Sequence, residues 1–337
     1  MKRKVLLWSF IITSLICAYL LFSTNAINNR FGCEFTHIAA RTMLDYEFKG
    51  QEYKLFNPSL TKTPEGYVMC LRYCNNTLKN MFFYLSGKKD YQSHICIAKL
   101  TPKFQIDKLT FLNIKGPPLE DPRIHYHDGK HYISVTEFIG KKNIFPALYI
   151  LDDAFNVLHR LDYNRDDYFG SNEKKQFIQK NWCPFTRGNE LLLHTDTFPT
   201  WKVFRIGDGG SMMPMVSFDS REFFKPFPKQ PHIRCSTSWK SFTDTTYICG
   251  LHTKQFCSIL PTIRTILVEI DKKTLKPIRS TDVFCVDNKN HVRIQFLSGL
   301  ETDDMFVYLT FGIGDYKTKV IRMTKKYVSR LLDFKVA

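Results

Sequence analysis

The sequence predicts an all-β chain, a five-bladed β-propeller preceded by a single N-terminal transmembrane helix. Three observations lead there: an aromatic-rich composition, a self-similar unit that recurs five times, and an apolar run behind a basic start. Hydrophobic residues make up 44% of the 337 residues and aromatics 15%, with 29 Phe and 16 Tyr. That content excludes a disordered chain, and aromatic side chains suit a pleated, half-buried surface.

The chain opens "MKRKVLLWSFIITSLICAYLLFSTNA". Lys2, Arg3 and Lys4 precede an uncharged stretch from Val5 to Phe22, about the length that spans a bilayer. Basic residues stay cytoplasmic, so the expected layout is type II. Residues 1–26 form a tail and signal-anchor, 27–44 a lumenal stem, and 45–337 the propeller. Cleavage after Ala26 is the rival, and would give a secreted protein. Either way the body enters the secretory pathway, in the ER or Golgi. Cys17 lies in the apolar run, and the other nine cysteines could form disulfides in an oxidising lumen, an odd count that leaves at least one thiol free or intermolecular. Asn75-Asn76-Thr77 is a glycosylation sequon. No cysteine or histidine cluster has zinc spacing, so no metal is expected. The net charge of +16 is dispersed, without a recognition-helix pattern, which argues against nucleic acid. Anionic donors, phosphate or an acidic membrane surface suit it better.

The repeat is carried by "CIAKLTPKFQIDKL", "LYILDDAFNVLHRL", "KVFRIGDGGSMMPMV", "ILVEIDKKTLKPI" and "KVIRMTKKYVSRLL". Anchored on Leu100, Leu151, Ile206, Ile270 and Met323, they recur at about 51, 55, 64 and 53 residues. A second hairpin precedes each, as in "NPSLTKTPEGYVMCLRY" and "EDPRIHYHDGKHYISVTEF". Two hairpins make four strands, the content of one blade. An all-β sandwich or barrel is the competing arrangement. Helical periodicity is confined to the apolar run, to "NEKKQFIQK" (172–180) and to the C-terminus.

Innermost strands of a propeller line its axis, and polar residues recur at their entrances: Asn57; Asp121 and Arg123; Lys180 and Asn181; Arg234 and Ser236; Gln295 and Ser298. The return strands end in Arg72, Glu137, His194, His252 and Asp315. Convergence of such groups is the usual look of a small-molecule site. Each also has a plain structural reading: Asn57-Pro58 and Asp121-Pro122 suit turns, and His252 suits a satisfied core histidine. Asp121 is the leading catalytic candidate, since a carboxyl in a partly dry pocket has its pKa raised and holds a proton. Arg123 would balance the charge, while Trp182 and Phe185 would offer apolar faces to a sugar ring.

At "NPS…LRY" (57–73), "EDPRI" (120–124), "KNWCPF" (180–185), "GLHT" (250–253) and "FGIGD" (311–315) the chain resembles glycoside hydrolase family 130, the mannoside phosphorylases and β-1,2-mannosidases. It also looks like the related glycosyltransferase family 108. The resemblance implies a five-bladed propeller with Asp121 as proton donor. It also implies that Asn57, Arg72, Lys180, Asn181, His252 and Asp315 hold sugar or phosphate. A full phosphate site is not legible; Arg234 is one contact for it.

The type II layout favours a lumenal mannosyl-type glycosyltransferase, using a nucleotide-sugar or sugar-phosphate donor and a glycan or small sugar acceptor, without cofactor or metal. A β-mannosidase or mannoside phosphorylase is the alternative, with Glu137 or Asp315 as a second carboxylate. A non-enzymatic glycan-binding propeller is the third reading.

Overall fold

The computed structural model describes residues 36–38, 40–49, 53–75, 92–140, 143–169, 179–227, 232–255, 262–286 and 294–333. Five sheets form the blades, antiparallel except in the fourth, where Phe284–Cys285 joins the sheet and pairs in parallel with Thr36–His37. Blade 1 comprises Lys54–Thr63, Gly66–Cys74, Ser93–Leu100 and Ile106–Phe111. Blade 2 comprises Leu119–His127, Lys130–Gly140, Asn143–Leu151 and Val157–Leu161, and blade 3 Cys183–Arg187, Glu190–Asp196, Thr200–Ile206 and Met212–Asp219. Blade 4 runs from the short inner strand Ile233–Cys235 through Thr246–Gln255 and Thr262–Asp271 to Pro277–Ser280. Blade 5 sets Gln295–Thr302, Phe306–Ile313 and Lys317–Thr324 against Arg41–Glu47 from the other end of the chain. The repeat anchors Leu100, Leu151, Ile206, Ile270 and Met323 all fall within the last two residues of a third strand. The all-β, five-bladed expectation holds.

Aromatic and branched side chains fill the spaces between blades. Trp201 and Trp239 pack with Phe185 and Tyr247 between blades 3 and 4, while Val68, Ile97, Ile124 and Ile133 join blades 1 and 2. Adjacent inner strands do not share a ladder, so hydroxyls satisfy their backbone instead. Ser59 Oγ accepts from the Ile124 amide at 2.9 Å, Thr61 Oγ1 accepts from Tyr126 at 3.2 Å, and Ser298 Oγ donates to the Pro58 carbonyl at 2.8 Å. Serine and threonine in otherwise apolar strands are therefore the stitches of the hub. A buried ion pair, Lys240 Nζ to Glu301 Oε2 at 2.7 Å, ties blades 4 and 5 beside Thr61.

Several expectations need correction or fall elsewhere. Cys70, Cys74, Cys96, Cys183, Cys235, Cys249 and Cys285 are all buried as free thiols, so among the described residues no disulfide forms. They pack as small apolar groups, which is why their number is no guide to pairing. Asn75 of the sequon is buried, and its Oδ1 accepts from the Gln92 amide. The proposed stem overlaps the fold, since Arg41–Glu47 is the outer strand of blade 5. No described helix is long and apolar enough to cross a membrane, and the anchor expected over 1–26 lies outside the described residues. Most of the helix expected over 172–180 also lies outside them, whereas Lys325–Leu332 at the C-terminus is helical, capped by Thr324.

Candidate active site

Asn57 and Asp121 occupy the same place in blades 1 and 2. Both adopt a left-handed backbone (φ 49° in each), both precede proline, and both sit where the inner strand slips register against its neighbour. Such a bulge re-aims a side chain out of the strand's alternation, and Asn and Asp tolerate the left-handed region better than bulkier residues. Asn181 (φ 65°) and Asp315 (φ 58°) share that conformation. All four line one cavity of about 390 Å³ at the entrance of the inner strands. Strain of roughly 1–3 kcal/mol per residue is stored where polar groups face it.

Arg72, Lys180, Arg234 and His252 line the same cavity, so eight of the residues singled out by sequence meet there. Asn57 Nδ2 donates to Asp121 Oδ1 at 2.9 Å. Arg72 is held by an ion pair to Glu120, by Nε donating to Ser93 Oγ at 3.1 Å, and by Phe56 beneath its guanidinium; Nη1 then lies 3.5 Å from Asp121 Oδ1. Glu120 is therefore the partner that aims Arg72.

The sequence expectation for Asp121 reverses in sign. Burial pushes its carboxyl up, but Arg72, Lys180, Arg123 and the Asn57 amide outweigh burial and hold it below the ordinary carboxylate range. Asp315 moves the other way. Burial pushes it up to about 6; Arg72 and Lys180 oppose this, while Asp121 and Glu120 add to it.

Four predicted residues stand behind the wall. Arg123 is fully buried, donating to the Asp121 and Pro122 carbonyls and to Asn181 Oδ1 at 3.3 Å, with Phe296 against its guanidinium. Ser236 contacts His252 from behind. Trp182 is no sugar platform: it is buried among Phe145, Tyr163 and Tyr168, with ring centroids 5.2, 5.0 and 4.8 Å away. Phe185 likewise stacks on Trp239. Glu137 lies away from the cavity, bound by Arg160 and Tyr149, which removes it as the second carboxylate. His194 is sealed between Trp201 and Trp239, its pKa pushed down to about 3 by burial.

Sequence reasoning missed Glu120, His232, Lys254, Ile263, Ile294 and Phe296 in the lining. Glu120 stood inside the best motif, directly before Asp121; the others carry no local signal. Lys180, His232 and Arg234 also line a smaller annex of about 180 Å³ with Asp196 and Thr197, so they stand at the junction of two chambers. Neither Lys180 nor Arg234 has an ion-pair partner among the described residues. Among those residues no His, Cys, Asp or Glu group is arranged to hold a metal.

No family model matches the chain, and no curated protein sequence matches it. Solved structures do. A β-1,2-mannobiose phosphorylase from Listeria innocua superposes with a TM-score of 0.57 at 12% identity, over 87% of this chain and 97% of that one. A mannose phosphorylase from Leishmania mexicana, in complex with phosphate ion, gives 0.53 at 12% identity over 95% and 99%. A structure from the GH130 family, described as containing hydrolases that target β-1,2 mannosidic linkages, gives 0.56 at 13% identity over 81% and 85%. The chain has the fold of glycoside hydrolase family 130. At these identities the likeness is one of fold, and the chemistry has to be argued from the cavity.

Proposed function

We propose that this chain is an enzyme of mannoside metabolism that cleaves a β-mannosidic bond with inorganic phosphate, with hydrolysis as the second reading. One observation carries this: Lys180 and Arg234, without carboxylate partners of their own among the described residues, share a sugar-sized cavity with the buried acid Asp121. In phosphorolysis a phosphate oxygen bonds to the anomeric carbon as the glycosidic C–O bond breaks. The departing oxygen takes a proton from the acid, giving mannose 1-phosphate and a free alcohol. Lys180 and Arg234 suit the phosphate, and preorganised cations of this kind stabilise developing charge.

The depressed Asp121 fits this chemistry. Its proton is disfavoured by neighbouring cations, and a phosphate dianion beside Lys180 offsets them, which lifts the carboxyl toward protonation as substrate arrives. The fold neighbours support the phosphorylase or hydrolase alternative better than the glycosyltransferase expected from the sequence; transfer would be the reverse direction, in which mannose 1-phosphate donates to an acceptor hydroxyl. Hydrolysis is favoured by Asp315, a second carboxyl in the same cavity that is ionised above about pH 6 and then able to take a proton from water.

The test is product analysis. Purified protein with β-1,2-mannobiose and phosphate should release mannose 1-phosphate, and Asp121→Asn should lower that rate by about 10²–10⁴-fold. Mannose released equally without phosphate would establish hydrolysis instead. Saturable sugar binding with no product in any mixture would leave only a glycan-binding propeller.

A further inference from the structure

Ser236 follows the inner strand of blade 4, its amide donating to the Gly250 carbonyl at 3.0 Å. Its Oγ lies 2.8 Å from His252 Nδ1, and both residues are buried. His252 sits on the neighbouring strand, directly opposite Arg234 in the ladder. Phe296 meets the imidazole edge-on at 4.9 Å, so the ring is held from two sides while lining the cavity.

A buried hydroxyl has one proton, and leaving it without an acceptor costs about 1–3 kcal/mol. Among the described residues the acceptor available to the Ser236 hydroxyl is His252 Nδ1. That atom must then keep its lone pair. The ring is neutral, because burial, with Arg123, Lys180 and Arg234 adding repulsion and Asp121 opposing weakly, holds its pKa well below the usual value. A neutral imidazole whose Nδ1 accepts carries its single proton on Nε2.

We propose that Ser236 is a positioning residue that locks His252 in the Nε2–H tautomer, so that His252 offers the cavity a neutral hydrogen-bond donor and does not serve as a base. The acceptor it meets is a sugar hydroxyl or a phosphate oxygen. This last point rests on the proposed function; the tautomer is a property of the free protein. A neutral donor suits a cavity already supplied with cations, since it adds direction without more charge.

The experiment is a long-range proton–nitrogen spectrum of the full chain labelled at its 10 histidines, recorded near neutral pH without ligand. His252 is assigned by the signals lost in His252→Gln. Expected are a pyridine-like Nδ1 and a pyrrole-like Nε2 in the native protein. Averaged shifts are expected in Ser236→Ala, and the native pattern again in Ser236→Thr, which restores the hydroxyl. A protonated Nδ1 in the native protein overturns the proposal, as does an unchanged pattern in a folded Ser236→Ala. Should that variant fail to fold, the native spectrum decides alone. In turnover assays Ser236→Ala should raise KM by roughly 3–10-fold, the worth of one neutral hydrogen bond. Because the spectrum needs no substrate, absence of turnover bears on the proposed function and not on the tautomer.

Discussion

Asp121 and Asp315 line one cavity, yet their carboxyls are driven in opposite directions. Asp121 has Arg72 and Asn57 in direct contact, so its ionised form wins over burial. Asp315 feels the same cations less than it feels burial and two other carboxylates, and its pKa reaches about 6 against an ordinary 3.8. This has a consequence for stability. Below about pH 4 both folded and unfolded chains carry the proton, and Asp315 costs nothing. As pH rises toward 6 the unfolded chain releases its proton first, so the folded state loses stability, fully so above pH 6. Asp315→Asn should therefore stabilise the protein by roughly 1–3 kcal/mol at pH 7 and by almost nothing at pH 4. Urea titrations at the two pH values measure this, and an equal gain at both would refute the assignment. Asp121→Asn should do the reverse at pH 7, because it withdraws the counter-charge from Arg72.

The elements that present these residues are bulged strand entrances supported by glycines. At Gly312, in the second strand of blade 5, an added Cβ would lie 1.9 Å from Asn57 Oδ1 and 2.9 Å from the Asn57 backbone nitrogen. The "FGIGD" segment thus needs glycine there so that blade 1 can approach. Gly312→Ala should push Asn57 away from Asp121, costing about 1–3 kcal/mol in stability and lowering turnover well beyond what that loss explains. A melting curve beside a rate measurement separates the two effects, and native-like kinetics would show that the contact is dispensable. The bulges also account for what sequence alternation misread. Counting every second residue from Asp121 puts Arg123 in the cavity, and counting from Lys180 puts Trp182 near it. The left-handed residue breaks that phase, so Arg123 lies beneath the floor and Trp182 enters the core.

Over the whole molecule, the ring closes by non-covalent pairing of the chain's two ends. Arg41–Glu47 zips along Lys317–Thr324, and Met43, Leu44 and Tyr46 pack on a cluster that reaches from Val320 to blade 1. A chain begun at residue 49 would leave blade 5 with an open edge and that apolar cluster uncovered. It should lose about 3–5 kcal/mol of stability and show association by sedimentation; a monomer with native stability would mean the closing strand is ornamental. Closure also explains the site, because residues up to 258 positions apart in sequence, Asn57 and Asp315, share the cavity only when blade 5 lies against blade 1.

Strand content, blade count and the strand ends marked by Leu100 to Met323 were written in local alternation and turn residues, which act over a few neighbours and so survive in a single sequence. The Asn-Pro and Asp-Pro steps likewise marked Asn57 and Asp121, since backbone preference is local. Whether Asp121 holds its proton depended on Arg72 and Lys180 from two other segments as well as on Arg123 of its own strand, and whether Glu137, Trp182 or Ser236 reached the cavity depended on strand phase and on what packed behind them. Charge and burial are sums over neighbours in space, and only the closed ring brings those neighbours together.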